Sequence, residues 1–560
     1  MEQVLRDAVQ KALEELGAPE TSFAIEWPAD LAHGDFATNA ALASAKVLNR
    51  APREIAEELV EKLTQSLGTA VESVSAAGPG FVNITLAHKT ITDQIAGVST
   101  IEGWGAHAYN SGKSVMIEYS NPNPFKEIHI GHLMSNVVGE ALSRVLQASG
   151  AHVIRDTFGG DVGPHVAKAL WALKKKGVSD IGNASEIGQA YVQGSNAYEL
   201  SPEAKEEIDA LNTRIYDIVA AQLSPETLSA EDREILALWR KGREVSMEEF
   251  SRIFSILGTH FDYIFYDSDT TEGGISVVRD GVLRGVFEES DGAIIYRGEK
   301  KGLHTLVFIT SRGTPTYETK DVGLAFLKEE HCPTDEVIII TAREQVGHFE
   351  VVLAALEEIA PLVAKKTTHV PHGLLRLTSG KMSSRKGNII TASELLADMV
   401  NSASEKNADP LVAEQVAVAA VKYMILRQAP GGDIVFDPEK SLSLEGDSGP
   451  YLQYALVRAK SVIAQSTVEA DAGDAPENPY TLERLIIRFP EVVRKAEVLR
   501  APHQITQYLT HIAGEWNSFY AQERIRGGAH EAYKLVVAAA FVRTMEEGLN
   551  LLGIPVPEKM

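Results

Sequence analysis

The chain has 560 residues and a formal charge of −24, with 44% hydrophobic and 23% charged residues. That length exceeds what one hydrophobic core serves, so about three domains are expected. No apolar run nears the roughly 18–20 residues that span a bilayer. The acidic amphipathic start, MEQVLRDAVQKALEEL, lacks the charged start and apolar centre of a secretory signal. The single cysteine, Cys332, excludes a disulfide framework and a multi-cysteine zinc site, and fits a reducing cytoplasm. The acidity argues against nucleic acid as a partner unless positive charge is gathered locally.

In chain order, residues 1 to about 88 read as a compact α+β unit. Val4, Ala8, Ala12 and Leu13 make a helical stripe, residues 53–62 a second helix, and residues 80–86 a strand. The next domain runs over 89–400. Residues 114–119 form a short apolar run suited to a buried strand, followed by a loop with Pro122 and Pro124. A helix over 131–150 places Leu133, Val137, Val138, Ala141, Leu142, Val145 and Leu146 on one face, and Gly150 suits its stop. Residues 152–156 return as a strand. This βαβ pattern implies a parallel sheet of the Rossmann type.

Residues from about 165 to 290 are mixed and charged, with helices over 203–221 and 240–257, and read as an insertion. The α/β pattern resumes with a strand at 336–341 and a helix at 349–359. Over 401–560 nearly every segment is helical (411–426, 450–464, 482–499, 504–524 and 532–552), which predicts an all-helical bundle domain whose flexible loop is 469–479. No repeat of solenoid length is present.

The stretch Ser120-Asn-Pro-Asn-Pro-Phe-Lys-Glu-Ile-His-Ile-Gly-His132 carries the chemistry. Its histidines fall three apart where a helix begins after a parallel strand. Helix N-termini expose free N–H groups and a positive dipole end, which favour phosphate. Imidazoles there add hydrogen-bond donors, and Gly131 lets a base or ribose approach the backbone. Open parallel sheets bind ligands at the carboxyl ends of their strands, where this loop falls. Taken alone, a His-x-x-His is more often accidental. No cysteine or carboxylate–histidine cluster completes a metal site around it, so no metal held by protein side chains is expected. A second stretch, Ser379-Gly-Lys-Met-Ser-Ser-Arg-Lys-Gly-Asn388, is a Ser/Gly loop with Lys381, Arg385 and Lys386, suited to neutralising a polyphosphate. Thr391 and Glu394 have the spacing of a capping box behind it.

Together, in this order, the two stretches resemble the "HIGH" and "KMSKS" signatures of the class I aminoacyl-tRNA synthetases. The resemblance implies attack of an amino-acid carboxylate on the α-phosphate of ATP, a transfer that needs positioning and charge neutralisation more than a covalent nucleophile. It implies ATP contacts from His129, Gly131, His132, Gly160, Asp161, Lys381, Met382, Ser383 and Lys386, with Mg²⁺ accompanying the nucleotide. Ser384 stands where the signature has its second lysine. Lys381, Arg385, Lys386 and the upstream Lys126 are therefore the candidate cations.

Within the class the chain resembles the arginyl-tRNA synthetases. Their pattern has a Glu five residues before an Asn, then the histidines, a Tyr-x-x-x-Asp, and a Gln ahead of His-Phe. Here these fall on Glu118, Asn123, Tyr317, Asp321 and Gln345. The resemblance implies that Asn123 and Gln345 hold the backbone groups of arginine. Glu118, Tyr317 and Asp321 then face its guanidinium or ammonium, since a planar five-donor cation needs carboxylates for bidentate pairing. The stretches Gly34–Asn39 and Gly78–Ile84 resemble the N-terminal domain that touches the tRNA elbow, and Glu445–Ala455 opens a region like the anticodon-binding domain. Phe36, Asn39, Tyr451, Tyr454, Tyr520 and Met560 are the expected tRNA contacts; Phe519 is a further aromatic able to stack on bases or to pack the core. The expected function is arginine–tRNA ligation by a cytoplasmic monomer, with no membrane partner. Rival readings are a synthetase for glutamate or lysine, a tRNA-binding relative with a dead site, and a small-molecule nucleotidyltransferase, which would have no use for the helical domain.

Overall fold

The computed structural model describes the chain apart from residues 29, 179, 221–226 and 379–390 and the side chain of residue 377. The chain forms two compact units. One comprises Met1–Ala106, Tyr454–Lys495 and Gln507–Gly548; the other comprises His107–Gln453, Ala496–Thr506 and Leu549–Met560.

The second unit is built on a five-stranded sheet in the order Thr367–His372, Glu336–Ala342, Ser114–Glu118, His152–Gly159, Tyr263–Tyr266. Every neighbouring pair is parallel. In chain order this is the 3-2-1-4-5 arrangement of a doubly wound nucleotide-binding sheet, with the reversal at Ser114–Glu118. Parallel strands are covered on both faces, and Val115, Met116, Ile117 and Glu118 are all buried. The helix Ile130–Ala148 lays Leu142 and Leu146 on Val115, Ile117, Val153 and Ile338. Its end comes where Gly150 adopts φ 89, a left-handed conformation that suits glycine.

Two excursions leave the sheet. The helices Pro164–Lys175, Ala184–Leu200, Pro202–Ala220 and Ala230–Ile256 share a core of their own around Trp239, Leu170, Ile208 and Ile215. The second holds the helix Asp267–Leu283 and the antiparallel strands Glu288–Ser290, Ala293–Tyr296 and Leu306–Ile309. The expected insertion over 165–290 therefore encloses one strand of the main sheet, Tyr263–Tyr266. This four-residue edge strand, Tyr-Ile-Phe-Tyr, is a short apolar run that leaves Ile264 exposed. The expected 240–257 helix begins earlier, where Ser229 caps it by accepting from Asp232 N at 3.1 Å.

The first unit holds an antiparallel sheet, ordered Ile25–Glu26, Phe36–Thr38, Phe81–Leu86, Val71–Ala77, flanked by helices that include Glu2–Leu16 and Pro52–Leu67. The first helix buries Leu5, Val9, Ala12 and Leu13, whereas Val4 is exposed, so its apolar stripe lies one residue along from the expected one. The helix expected over 482–499 is two, Thr481–Ile486 and Phe489–Val498. Pro490 separates them: it lacks the N–H of a helix interior and is placed in the first turn of the second helix. His503–Gln522 and Glu531–Leu551 follow. The loop over 469–479 is tied down where Asp471 N donates to Ala532 O at 3.2 Å. The helices Ala392–Ser404 and Pro410–Leu426 lie in the unit with the parallel sheet, so the division between units falls inside the helix Gly449–Ala464.

Candidate functional site

The site starts at the carboxyl end of Ser114–Glu118, beside the strand Glu336–Ala342, where the sheet order reverses. The loop leaving this strand is strained. Ser120, Asn121 and Phe125 have φ of 75, 50 and 66, conformations L-residues rarely adopt. Side-chain hydrogen bonds hold it there. Ser135 Oγ accepts from Ser120 N at 3.0 Å, Thr157 Oγ1 from Asn121 N at 3.2 Å, and Ser246 Oγ from Phe125 N at 3.1 Å. Asn121 Oδ1 accepts from Phe158 N at 3.0 Å, and Asn123 Oδ1 from Gly160 N at 2.8 Å. A Cβ at Gly160 would lie 2.6 Å from Asn123 Oδ1, so glycine is required for this approach. Strain held by its surroundings is characteristic of functional loops. Sequence reading misses Ser120, Asn121 and Ser135, because short polar residues give no periodic signal.

The loop delivers His129 as the N-cap of Ile130–Ala148. Its Nδ1 accepts from Gly131 N at 3.1 Å, and His132 Nδ1 accepts from His129 N at 3.3 Å. The rings stack with centroids 3.7 Å apart. Gly131 makes the stack possible, since a Cβ there would lie 2.9 Å from His129 Cε1. Desolvation, with Lys126 adding to it, lowers the pKa of His129. Desolvation lowers His132 well below the usual value, reinforced by His129, Lys126 and His372. Both rings are therefore neutral at pH 7. An Nδ1 that accepts must be unprotonated, so each neutral ring carries its proton on Nε2, a donor that the cap does not use.

Lys126 lies with Nζ 5.0 Å from the Tyr191 ring centroid. Lys381, Met382, Ser383, Arg385 and Lys386 fall outside the described residues. The chain re-enters at Thr391, which forms an antiparallel bridge with His129, while Ala392 N donates to Ile128 O at 2.7 Å. Thr391 and Glu394 form the expected capping box. The exit from the basic segment thus lies against the histidine cap.

Glu118 and Asp321 line one largely apolar pocket with Lys328, Leu324 and Phe349. Glu118 is 2% exposed; its Oε2 accepts from Lys328 Nζ and its Oε1 from Asn121 Nδ2, at 2.6 and 2.7 Å. Lys328 Nζ also lies 2.7 Å from Asp156. Burial pushes Asp156 up to about 7 against the pull of Lys328. Carboxylate oxygens keep a second lone pair, so Glu118 retains acceptor capacity towards a further cation. Asp321 Oδ2 lies 2.5 Å from His348 Nε2. Tyr317 opens the same helix, Tyr317–His331, and is exposed. Gln345, exposed, is the N-cap of Val346–Ile359. His348 and Lys328 were not singled out from the sequence: one reads as part of a motif, the other as a surface lysine.

Two expectations need correction. Asp161 is fully buried, its carboxylate accepting from Ser268 N, Ser268 Oγ and Arg243 at 2.9, 2.8 and 3.0 Å. It braces the loop from within and does not present its carboxylate to a nucleotide. Phe36 is 1% exposed and packs on Trp27 with centroids 4.0 Å apart, so its ring is spent in the core and offers no face to a base. Asn39 Oδ1 accepts from Ala24 N at 2.8 Å, tying together two segments fifteen residues apart. Tyr451 is half-buried, while Tyr454 and Met560 are exposed. Tyr520 lies under Arg458, whose Cζ is 4.0 Å from the ring centroid. Phe519 is buried and packs on Trp516.

The reversed sheet order and the neutral histidine cap at a helix N-terminus define an α/β fold of the nucleotide-binding class. The family described as "tRNA synthetases class I (R), catalytic domain" matches residues 98–437, and the chain belongs to it. The arginyl tRNA synthetase N-terminal domain matches residues 3–86, and the DALR anticodon-binding domain residues 452–560. Among curated relatives, the arginine–tRNA ligase of Parabacteroides distasonis is 28% identical over 555 residues, covering 92% of each chain. That of Treponema pallidum is 28% identical and covers 99% of each. Among solved structures, the arginyl-tRNA synthetase of Thermus thermophilus superposes with a TM-score of 0.79 at 26% identity, covering 100% of both chains.

Proposed function

We propose that the protein activates L-arginine with ATP and transfers it to the terminal ribose of tRNA(Arg), releasing AMP and pyrophosphate. The observation that carries this reading is the pair of stacked histidines at a helix N-terminus, both accepting at Nδ1 and so both protonated on Nε2, with Thr391 bridged to His129. Two fixed neutral donors stabilise charge that develops on the phosphate oxygens in the transition state and need no reorganisation. Neutrality also avoids binding ground-state ATP more tightly than the transition state. Lys126, Lys381, Arg385 and Lys386 take the leaving pyrophosphate, with Met382 and Ser383 beside it, and Gly131 and Gly160 admit the nucleotide close to the backbone.

Asn123 and Gln345 orient the backbone groups of arginine, while Asp321 and Tyr317 meet the guanidinium. Glu118 sets the charge beneath, its carboxylate steadied by Lys328 and Asn121. Among the described residues no group of three His, Cys, Asp or Glu side chains could hold a metal ion. Mg²⁺ is read as a counter-ion brought by the ATP phosphates.

The tRNA reading rests on a local concentration of cations. Arg458, Arg524 and Arg526 line one cavity with Tyr520, a face able to take phosphates and an unstacked base. Tyr454, four residues before Arg458, shares that helix face, and Tyr451 and Met560 are further contacts. No described helix is long and apolar enough to cross a membrane. A cytoplasmic monomer, in domains 1–88, 89–400 and 401–560, is the reading we carry with this function.

Pyrophosphate exchange into ATP, run with each of the twenty amino acids with and without tRNA, tests it. Exchange is expected with arginine alone, and to require tRNA. Exchange with glutamate or lysine but not arginine would sink the specificity, and none under any condition would favour a relative with a dead site.

A further inference from the structure

The helix that carries the histidine pair is anchored at its far end by a cluster that takes no direct part in binding ATP or arginine. Arg144 lies twelve residues beyond His132 in Ile130–Ala148, about 18 Å along the helix at 1.5 Å per residue. Its guanidinium donates to Asn550 O and Asn550 Oδ1, both at 3.0 Å, and to Gly258 O at 3.2 Å, while Nε pairs with Glu140 at 2.7 Å. Glu140 in turn accepts from Tyr119 Oη at 2.8 Å and from Arg155 Nε at 2.9 Å. Tyr119 directly follows Glu118 at the site.

Lys422, in Pro410–Leu426, is 1% exposed. Its Nζ donates to Leu257 O at 2.6 Å and to Gly553 O at 2.5 Å. A third donor, Gln453 Nε2, reaches Pro555 O at 2.6 Å and Gln415 O at 3.1 Å. Leu549, Leu552 and Ile554 are buried alongside.

The carbonyls so held belong to two helix ends. Leu257 and Gly258 follow Ala230–Ile256; Asn550 and Gly553 lie at the end of Glu531–Leu551. Helix C-termini expose carbonyls and the negative end of the dipole, so a donor shared by two of them satisfies both. Burial, with Arg144 adding to it, pulls Lys422 down to about 7, so its part in the bridge is that of a hydrogen-bond donor. Buried carbonyls left without donors cost about 1–3 kcal/mol each, which makes this cluster stiff.

We propose that Arg144 and Lys422 are positioning residues for adenylate formation: bridging the two helix ends, they fix the helix that presents His129 and His132, and this makes the segment Asn550–Pro555 part of the catalytic apparatus. The proposal rests on the reading of the histidines as the phosphate site. A tail that served only as a tRNA contact would have no need of two donors, Arg144 and Lys422, on its backbone. The effect is transmitted through geometry, since displacement by a fraction of an ångström at the cap misaims both Nε2–H donors.

The test uses the full-length protein in arginyl-tRNA formation, with kcat, KM for ATP and KM for tRNA measured separately. Three variants are compared: Lys422→Met, Arg144→Gln and Gly553→Ala. Gly553 has φ 63 and a Cβ there would lie 2.9 Å from Lys422 Nζ and 3.5 Å from Arg144 Nε, so Gly553→Ala disturbs the bridge while both side chains are kept. Each is expected to lower kcat by about tenfold and to raise KM for ATP, with KM for tRNA within about twofold of the parent. Lys422→Arg, which keeps donors at this position, recovers part of the rate. A rise confined to KM for tRNA, or constants unchanged in all three, overturns the proposal. Should Lys422→Met fail to fold by circular dichroism, the partly exposed Arg144→Gln and Gly553→Ala decide. A His132→Ala variant with full activity would instead overturn the reading of the histidine pair, and is scored separately.

Discussion

His348 places Nε2 2.5 Å from Asp321 Oδ2 while its Nδ1 lies 3.4 Å from Glu318 Oε1. Only a protonated imidazole has donors on both nitrogens. Burial opposes that charge, but the two carboxylates outweigh burial and push His348 up to about 10. The Asp321 carboxylate is therefore held by an internal cation, one oxygen engaged. His348→Gln keeps one donor and loses the charge. KM for arginine is expected to change about tenfold with kcat within about threefold, measured by steady-state aminoacylation. The folded pKa lies above the unfolded value near 6.5, so His348 adds stability that is complete below about pH 6.5 and lost as pH rises through about 10. The difference in unfolding free energy between parent and variant is expected to be on the order of 1–3 kcal/mol at pH 6 and to shrink towards pH 10. A difference that grows with pH would exclude this charge state.

The histidine cap gives the opposite pH signature. Both rings are held neutral, with pKa values below the usual 6.5. Between those lowered values and 6.5 the unfolded chain binds more protons, so stability is full above about pH 6.5 and falls as acid protonates the rings and removes the Nδ1 acceptors. Activity is thus expected to show no imidazole titration above pH 6.5 and a loss below it from these two groups. His129→Asn and His132→Asn are each expected to lower kcat by about 10²–10³ with KM for arginine little changed. Gly131→Ala, which crowds the His129 ring, falls in the same direction by a smaller factor. Rapid-quench measurement of adenylate formation checks all three.

Much of this is legible in the chain. The apolar run at Ser114–Glu118, the amphipathic helix behind it and the return strand define a parallel βαβ unit from periodicity alone. The histidine and basic stretches are visible as motifs, and a backbone bridge joins His129 to Thr391. What stays hidden has a common physical cause. The edge strand Tyr263–Tyr266 is an apolar run of only four residues, too short to tell from a helix segment by periodicity. Lys328 and His348 carry charge in the interior and Lys422 is a buried amine, and an ionisable side chain in a sequence reads as surface until its partners are known. Asp161 and Phe36 mislead for the converse reason: residues inside a recognisable motif are expected to face its ligand, whereas both sustain the loop or core from behind.

Lys328 tests how the interior balances charge. Its ammonium is 3% exposed between Glu118 and Asp156, at 2.6 and 2.7 Å. Lys328→Met is expected to destabilise the protein by about 3–5 kcal/mol, since it strands two buried carboxyls. Adding Asp156→Asn is expected to recover part of that loss, because one of the stranded charges is gone. Urea unfolding of the single and double variants measures the coupling, and purely additive effects would count against the triad.

The last prediction concerns the overall charge of −24. A protein this acidic repels a polyanion over most of its surface, so binding of tRNA must come from local cations whose pairing with phosphates releases counter-ions. Arg458, Arg524 and Arg526 gather around one cavity, and Arg458 is held flat over Tyr520. The logarithm of tRNA affinity is expected to fall linearly with the logarithm of salt concentration. Removing one phosphate-binding cation reduces the steepness of that line by about 0.7–0.9. Arg524→Ala and Arg526→Ala should therefore weaken binding and flatten the salt response together, while KM for ATP stays put. Tyr520→Phe keeps the ring under Arg458 and should leave the slope unchanged, whereas Tyr520→Ala removes a stacking face and should weaken binding by about 1–3 kcal/mol without altering it. Filter-binding titrations over a salt series separate these terms. A parent protein whose affinity ignores salt would mean that its hold on tRNA is not ionic, and that the arginine cavity is not where the tRNA docks.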